Sequence, residues 1–483
     1  MPPTSPDGHR RLRRVPPALA ACLGVTALLG AGLAAPTATA ADGELMSYVV
    51  NTRPSAIQLE RAERAVEAAD GEVVQAWPQI GVLVVHSTSD SFASDVTRGR
   101  LGSAVESVGA TRTAAVKERA AAAAERMRTR QAAQTFEERQ GVVVEAAAAD
   151  PREGEQWDMA QIGADVASDG SADVTVAVLD SGIDDTHPDL ASQVDDANSV
   201  SCVDAGVPDT TRESWLPTTS SHGTHVAGTV AAARNGIGIV GVAPNSRLTS
   251  VKVVNDDGFI YPEYAICGFV WAAEHGADVT NNSYYIDPWQ FWCTDDENQG
   301  AVVEAVRRAV DYSTREGVVH AAAAGNSNVD LANKTTDSSS PNDTTPVQRD
   351  IHNGCLDIPA ELDGVVTVAS NDVNVAKSGF SNYGEGVIDV TAPGSSILST
   401  VPGGYGRSSG TSMASPHAAG VLALLKAEHP KAKPHQLIRL LERQADDVPC
   451  PADDRCTGST ADNAFFGEGL VDALEATGVR DGR

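Results

Sequence analysis

The sequence predicts an α/β fold: a mostly parallel sheet with helices on both faces, preceded by a small α+β unit. Three observations predict it. From Gln156 onward, apolar strands alternate with helical stretches, beginning "DVTVAVLD" and "SHGTHVAGTVAAA", the pattern of a parallel sheet covered by helices. Before that, residues 42–112 run in the order β-α-β-β-α-β. Between the two, from 113 to 150, the composition turns to Ala, Glu, Arg and Gln, with no apolar stripe wide enough to pack on a core.

Taken in order, "HRRLRR" supplies positive charge, an apolar run follows from Val15 to Ala35, and Ala38-Thr39-Ala40 fits a small-residue cleavage site. Residues 1–40 therefore read as a secretory signal peptide. Pro16 and Pro17 and the lack of a charged stop argue against a membrane anchor. A lipid attachment at Cys22 is disfavoured because the apolar run continues past it. In the α+β unit, "LMSYVVNT", "EVVQAW", "VLVVHS" and "AVESVGATR" read as strands, and "SAIQLERAERAVEAADG" and "SDSFASDVTRG" as helices. That order is ferredoxin-like. The stretch from 113 to 150 reads as a solvated, cleavable connector.

The region from 151 to 483 holds the parallel sheet. "RLTSVKVV", "ADVTNNS", "VVHAAAAG", "GVVTVAS" and "GVIDVTA" read as its further strands. "PEYAICGFVWAAEHG" and "GAVVEAVRRAVDYSTREG" read as covering helices. Asn328 to Glu361 is long, polar and punctuated by proline, which marks an inserted surface loop.

Acidic residues (65) outnumber basic ones (36), for a formal charge of −29. That field repels phosphate backbones and argues against nucleic acid as a partner. Nothing beyond the leader is long and apolar enough to cross a membrane, and a monomer is expected. Removing the leader removes Cys22 and leaves six cysteines, which allow three disulfides in 15 connectivities. Cys450 and Cys456 bracket a short polar loop and form the safest pair; Cys293 with Cys355 is a further candidate.

Three residues need one another. Asp180 ends the strand "VTVAVL", where parallel sheets keep their sites. His222 opens a helix in "SSHGTHVAGT". Ser412 stands in "SSGTSMASPHAAG" at the start of an Ala/Gly-rich helix whose first turn tolerates Pro416. Alone, each has an ordinary structural reading as a turn residue, a packed histidine or an N-cap. His222 and His225 lack the spacing of a zinc motif. Together they supply a hydroxyl, a base suited to neutral pH and a carboxylate to orient the imidazole. The helix start also leaves the Ser412 N–H free to meet an oxyanion.

"VAVLDSGIDDTHPDL", "SHGTHVAGTVAAARNGIGIVGVAPNSRL", "AAAAGN" and "SGTSMASPHAAG" resemble, in order, the four signature blocks of subtilisin-like serine peptidases. The resemblance covers about 156–483, and "GEGLVDALEA" looks like the family's closing helix. Residues 42–112 resemble the family's inhibitory propeptide more loosely. The resemblance implies a secreted endopeptidase acting on protein or peptide chains, with its own propeptide as inhibitor. It implies Asp180 as orienting acid, His222 as base and acid, Ser412 as nucleophile and Asn326 as oxyanion donor. A binding-only relative would have lost one of these four, and a peptide ligase would have to exclude water from the acyl-enzyme.

The resemblance also implies that substrate pairs with segments around Gly258–Tyr261 and Ser283–Tyr285, with Gly325 lining the pocket. Here "SYYIDPWQFWC" replaces small, glycine-containing sequence, so Tyr284 and Tyr285 depart from the family. Either Tyr285 narrows the pocket toward small or slender side chains, or the aromatics pack outward onto the insertion. No cofactor is implied for catalysis. A structural calcium is, through Asp189 and Asn235 side chains and the carbonyls of Ala233, Ile237 and Ile239. The family's further ligand, from the mature N-terminus, is not identifiable from sequence.

Overall fold

The computed structural model describes residues 43–116 and 150–478. The leader and most of the 113–150 connector lie outside the described residues. In the N-terminal unit, strands Met46–Thr52, Gly71–Trp77, Val82–Ser87 and Val105–Ala110 form one sheet. Counted in chain order, their spatial order is second, third, first, fourth, as a ferredoxin-like unit requires. Helix Ala56–Ala68, capped by the Ser55 hydroxyl on Gln58 N, buries Ala62, Ala65 and Val66 on the sheet.

The larger unit is built on an eight-stranded sheet. Its centre runs Val390–Pro393, Val365–Asn371, Val319–Ala323, Val279–Asn282, Thr175–Asp180, Arg247–Lys252, Val200–Asp204, all parallel. Only Val207–Asp209 joins antiparallel, at one edge. The strand "VTVAVLD" alternates faces with period two: Val176 and Val178 enter one core, Ala177 and Leu179 the other. The first core is roofed by helices His222–Ala231 and Thr411–Glu428, the second by Pro262–Glu274 and Glu297–Glu316. Among the described residues no helix is long and apolar enough to cross a membrane.

The N-terminal sheet lies on the second pair of helices. Val49, Trp77, Ile80 and Val82 join that core. Asn51 Nδ2 donates to Ala301 O (2.8 Å), the Ala110 N–H to Asn298 Oδ1 (2.7 Å) and Arg308 to Thr52 O (2.7 Å). A Cβ on Gly109 would sit 2.2 Å from Asn298 O, so the contact requires glycine. Disulfides join Cys202–Cys267, Cys293–Cys355 and Cys450–Cys456.

The helix Thr411–Glu428 is buried from Met413 to Leu425. Its small residues let it approach the sheet and its neighbours closely: a Cβ on Gly420 would lie 2.5 Å from Val242 Cβ. Pro416 sits within this helix, in its second turn rather than the first. Its missing N–H leaves the Ser412 carbonyl without its usual helical partner, and the Ser283 hydroxyl donates to that carbonyl instead (2.8 Å).

Gly420→Ala is expected to destabilise the protein. Alanine gains about 1 kcal/mol in helix propensity, but overpacking a tight core costs about 1–3 kcal/mol. Calorimetry should show a lower melting temperature; an unchanged one would mean that Val242 gives way.

Candidate active site

Asp180 is the last residue of its strand, with a side chain 1% exposed. Its Oδ1 accepts the Ser181 N–H at 2.7 Å. His222 is the first residue of its helix, and its Nδ1 lies 2.9 Å from both Asp180 oxygens. The helix can come this close because residue 223 is glycine: a Cβ there would stand 2.5 Å from Gly182 O. Burial works to lower the His222 pKa, but the charge of Asp180 and its hydrogen bond outweigh it and hold the imidazole above its ordinary value. The Asp180 bond fixes the proton on Nδ1 and leaves Nε2 as the basic nitrogen.

Ser412 opens its helix directly after Gly410 and Thr411. Its hydroxyl donates to Ser283 O at 3.1 Å, so it rests on the neighbouring segment rather than on His222. Asn326 follows the strand Val319–Ala323. Its Oδ1 accepts from Thr411 N (2.8 Å) and Thr411 Oγ1 (3.0 Å), which leaves Nδ2 as the outward donor. That Nδ2 and the Ser412 N–H flank Gly410: a Cβ on Gly410 would lie 3.6 Å and 3.5 Å from them. The fold thus brings Asp180, His222, Ser412 and Asn326 to the carboxyl edge of the sheet. Thr411 and Ser283, which the sequence reading did not single out as positioning groups, hold Asn326 and Ser412 in place. Pro416 was the signal for Ser283, since it announces a helix carbonyl in need of another donor.

His225, one turn after His222, bonds Ile397 O at 3.1 Å, and burial pushes its pKa down to about 4. It is a neutral packed histidine.

The expected substrate segments are placed as follows. Gly258 is exposed at the tip of its turn, with φ +92°. Tyr261 is buried under the Arg112 guanidinium, 3.7 Å from its ring centre. Arg112 comes from the N-terminal unit and forms a buried ion pair with Glu263. Ser283 is the Ser412 partner, and Tyr284 is buried with its hydroxyl on Asn282 Oδ1 (3.1 Å). The Tyr285 hydroxyl accepts from Asn342 Nδ2 (3.0 Å), which anchors it to the insertion. The neighbouring Asp343 takes the Thr113 and Ala114 N–H groups at 2.8 Å and 3.0 Å. Gly325 holds φ +97°, and its N–H donates to Thr411 Oγ1 (3.0 Å).

The loop from Ala233 to Ile239 gathers around Asp189 and Asn235. Asp189 Oδ2 accepts from Ile239 N (3.1 Å) and the Tyr405 hydroxyl (2.9 Å), and the Ala233 N–H donates to Asp189 O (2.8 Å). Asn235 Oδ1 accepts from Ile237 N at 2.9 Å. Burial raises the Asp189 pKa, against these hydrogen bonds. Asp150 joins from the connector's end: its Oδ1 accepts from Ile237 N (2.9 Å) and Asn235 N (3.3 Å), while its buried Oδ2 has no partner. Among the described residues no cluster of three or more His, Cys, Asp or Glu stands ready for a metal, so a cation here would depend on amide and carbonyl oxygens as well.

The subtilase family matches residues 171–469 of this sequence. The chain belongs to the subtilase family. Members of that family are serine endopeptidases. This subtilase is 35% identical to subtilisin from Bacillus pumilus over 63% of the chain and 91% of that protein. It is also 35% identical to fervidolysin from Fervidobacterium pennivorans over 57% of the chain, but spans only 37% of that longer protein. The structure of fervidolysin, a keratinolytic enzyme, matches with a TM-score of 0.61 at 26% identity, covering 91% of this chain and 62% of that one. The epidermin leader peptide processing serine protease of Staphylococcus aureus shares the fold, with a TM-score of 0.67 at 22% identity over 91% of this chain and 99% of that one.

The His222 imidazole should titrate above the ordinary histidine value of about 6.5. Asp180→Asn should bring it down, because the neutral amide removes the charge that favours the imidazolium. NMR titration of the His222 ring measures both; an unchanged pKa in the variant would remove Asp180 from this role.

Proposed function

We propose that this subtilase is an exported serine endopeptidase made as a propeptide-inhibited precursor, with Asp180, His222, Ser412 and Asn326 as its catalytic residues. The observation that carries the reading is the Asp180–His222 pair at 2.9 Å beside a helix-start serine. In the reaction the Ser412 hydroxyl turns from Ser283 O toward His222 Nε2, which takes its proton as Oγ attacks the peptide carbonyl. The oxyanion gathers the Ser412 N–H and Asn326 Nδ2. The imidazolium, steadied by Asp180, hands the proton to the leaving amine and an acyl-enzyme remains. Water then attacks the ester with His222 again as base, and Ser412 is restored.

The N-terminal unit suits a propeptide because it covers the segments expected to hold substrate. Arg112 lies on Tyr261, and Thr113 and Ala114 bind Asp343 beside the Tyr285 anchor. The connector that follows supplies the cleavage site. Export is supported by the charged and apolar leader ending in Ala38-Thr39-Ala40 and by three disulfides.

A structural calcium belongs to the same reading. The donors the family resemblance implies, the side chains of Asp189 and Asn235 and the carbonyls of Ala233, Ile237 and Ile239, are oxygens, as calcium prefers. Asp150 Oδ2, buried and without a hydrogen-bond partner, would be the ligand that the sequence did not reveal. Bound there, calcium would supply charge neutralisation and a tie between the mature N-terminus and the 233–239 loop.

Ser412→Ala should cut hydrolysis by about 10⁶ in kcat, the loss known for subtilisin itself. The same variant, from a protease-free host, should accumulate with residues 42–150 attached, read by mass spectrometry. Full trimming would refute self-processing, and retained activity would refute the nucleophile.

Chelation should lower the melting temperature of the mature enzyme, since a ligand bound only by the native state stabilises it by mass action. Asp150→Ala should shrink that difference. Melting curves that coincide with and without chelator would discard the site.

A further inference from the structure

We infer that Asp357 determines the specificity of this subtilase, as the anion at the end of the slot that receives the side chain before the scissile bond. The side chain it selects is basic, Arg or Lys. The inference rests on the peptidase reading above and names its substrate class.

The slot follows from the sheet. Strands Val279–Asn282 and Val319–Ala323 are neighbours, with Asn282 opposite Ala322. Past their carboxyl ends the chain diverges into Ser283–Ile286 on one side and Ala324–Asn326 on the other. Ser412 rests on the first segment and Asn326 stands on the second. A peptide carbonyl held between the Ser412 N–H and Asn326 Nδ2 therefore sends its residue's side chain between the two.

Asp357 closes that gap and meets both walls. The Ile358 carbonyl accepts the Ile286 N–H at 2.9 Å, and Asp357 Oδ2 lies 3.4 Å from where a Cβ on Gly325 would stand. The Asp357 backbone is fixed by Glu361: its N–H donates to Glu361 Oε2 (2.7 Å) and its carbonyl accepts the Glu361 N–H (2.8 Å). The carboxylate itself is fully buried, and neither oxygen has a hydrogen-bond partner.

An ionised carboxylate buried without partners costs several kcal/mol. A purely structural aspartate would cap a helix or brace a loop, and this one braces nothing. The neighbouring cation is already engaged: Lys334 Nζ donates to Glu361 Oε1 (2.5 Å) and Leu331 O (2.8 Å). One ammonium thus stands beside two carboxyl groups, and that of Asp357 is left without a partner. Burial, with Glu361 adding and Lys334 opposing, pushes the Asp357 carboxyl well above its usual range while it waits. A guanidinium offers paired donors in the fork geometry that a carboxylate accepts, and an ammonium offers the charge alone. Tyr285 is consistent with this occupant. Its anchored phenol walls the slot within electrostatic reach of Asp357, and a slender aliphatic stem passes where a broad ring does not. The connector is rich in such residues, beginning with Lys117, so self-cleavage would follow one of them.

The test uses the matured enzyme and peptides that differ only in the residue before the cut: Arg, Lys, citrulline, Ala or Phe. Arg and Lys should exceed citrulline in kcat/KM by on the order of 10²–10³-fold, because citrulline keeps the shape and loses the charge. Asp357→Asn should remove that advantage. Labelling of Ser412 by a fluorophosphonate runs in parallel. An enzyme that labels and cleaves but treats Arg and citrulline alike overturns this inference alone. An enzyme that neither labels nor cleaves overturns the peptidase reading with it. Should Asp357→Asn fail to fold, the wild-type ratio of Arg to citrulline decides, with competitive inhibition by benzamidine expected and its absence contrary.

Discussion

The close approach of one buried helix to the carboxyl edge of the sheet sets everything at this site. Thr411–Glu428 is pressed against the sheet by small residues, and two hydroxyls lock its first turns. Ser283 Oγ bonds the Ser412 carbonyl at 2.8 Å, and Ser415 Oγ bonds Asn281 Oδ1 at 2.8 Å. Both partners come from the end of one central strand and the residues just after it. The Ser412 backbone is therefore fixed to the end of that central strand, and Thr411 ties it to Asn326, which follows the neighbouring strand. Preorganisation of this kind is what an oxyanion needs, since donors already in place cost no reorganisation when charge develops.

The N-terminal unit is held by a different physics. Its sheet adds Val49, Trp77, Ile80 and Val82 to the peptidase core, an apolar contact that gives adhesion. Register comes from groups that tolerate no displacement: Gly109 against Asn298, and the buried Arg112–Glu263 pair. Glu263 also takes the Ser47 hydroxyl at 3.1 Å, so the first strand of the N-terminal sheet and the residue two past its last strand engage one carboxylate. A buried pair adds little net stability, but losing one partner strands a charge. Partial detachment is thus penalised.

How far the sequence could be read follows from which forces are local. The alternating strands, the helices and the convergence of Asp180, His222, Ser412 and Asn326 on one edge of the sheet were legible, because each rests on a short-range pattern: period-two burial in "VTVAVLD", a helix-start serine, a histidine followed by glycine. The order of strands in the N-terminal unit was legible for the same reason. What escaped depends on contacts distant in sequence. Asp150 reaches the 233–239 loop across 85 residues, and Thr113 reaches Asp343 across 230. Tyr285 shows the limit best. Its ring was noticed as a departure from the family, but its partner Asn342 sits in an insertion that reads only as a long polar loop.

That insertion is better understood as part of the pocket than as decoration. Asn342 anchors Tyr285, Asp343 binds the tail of the N-terminal unit, Ser339 and Ser340 bond the Trp-rich loop at Gln290, and Lys334 pairs with Glu361. Cys293–Cys355 joins the same two loops covalently. The polar character that made it look like solvated surface is thus spent largely on its neighbours. A pocket lined by short loops between strands would inherit its shape from the sheet, and relatives would share it. Here the surroundings of Tyr285 come from a loop braced by its own hydrogen bonds and a disulfide. The insertion can then change while the sheet, the helix and the placement of Asp180, His222, Ser412 and Asn326 stay as they are, because the groups that hold Ser412 and Asn326 are Ser283 and Thr411, outside the insertion.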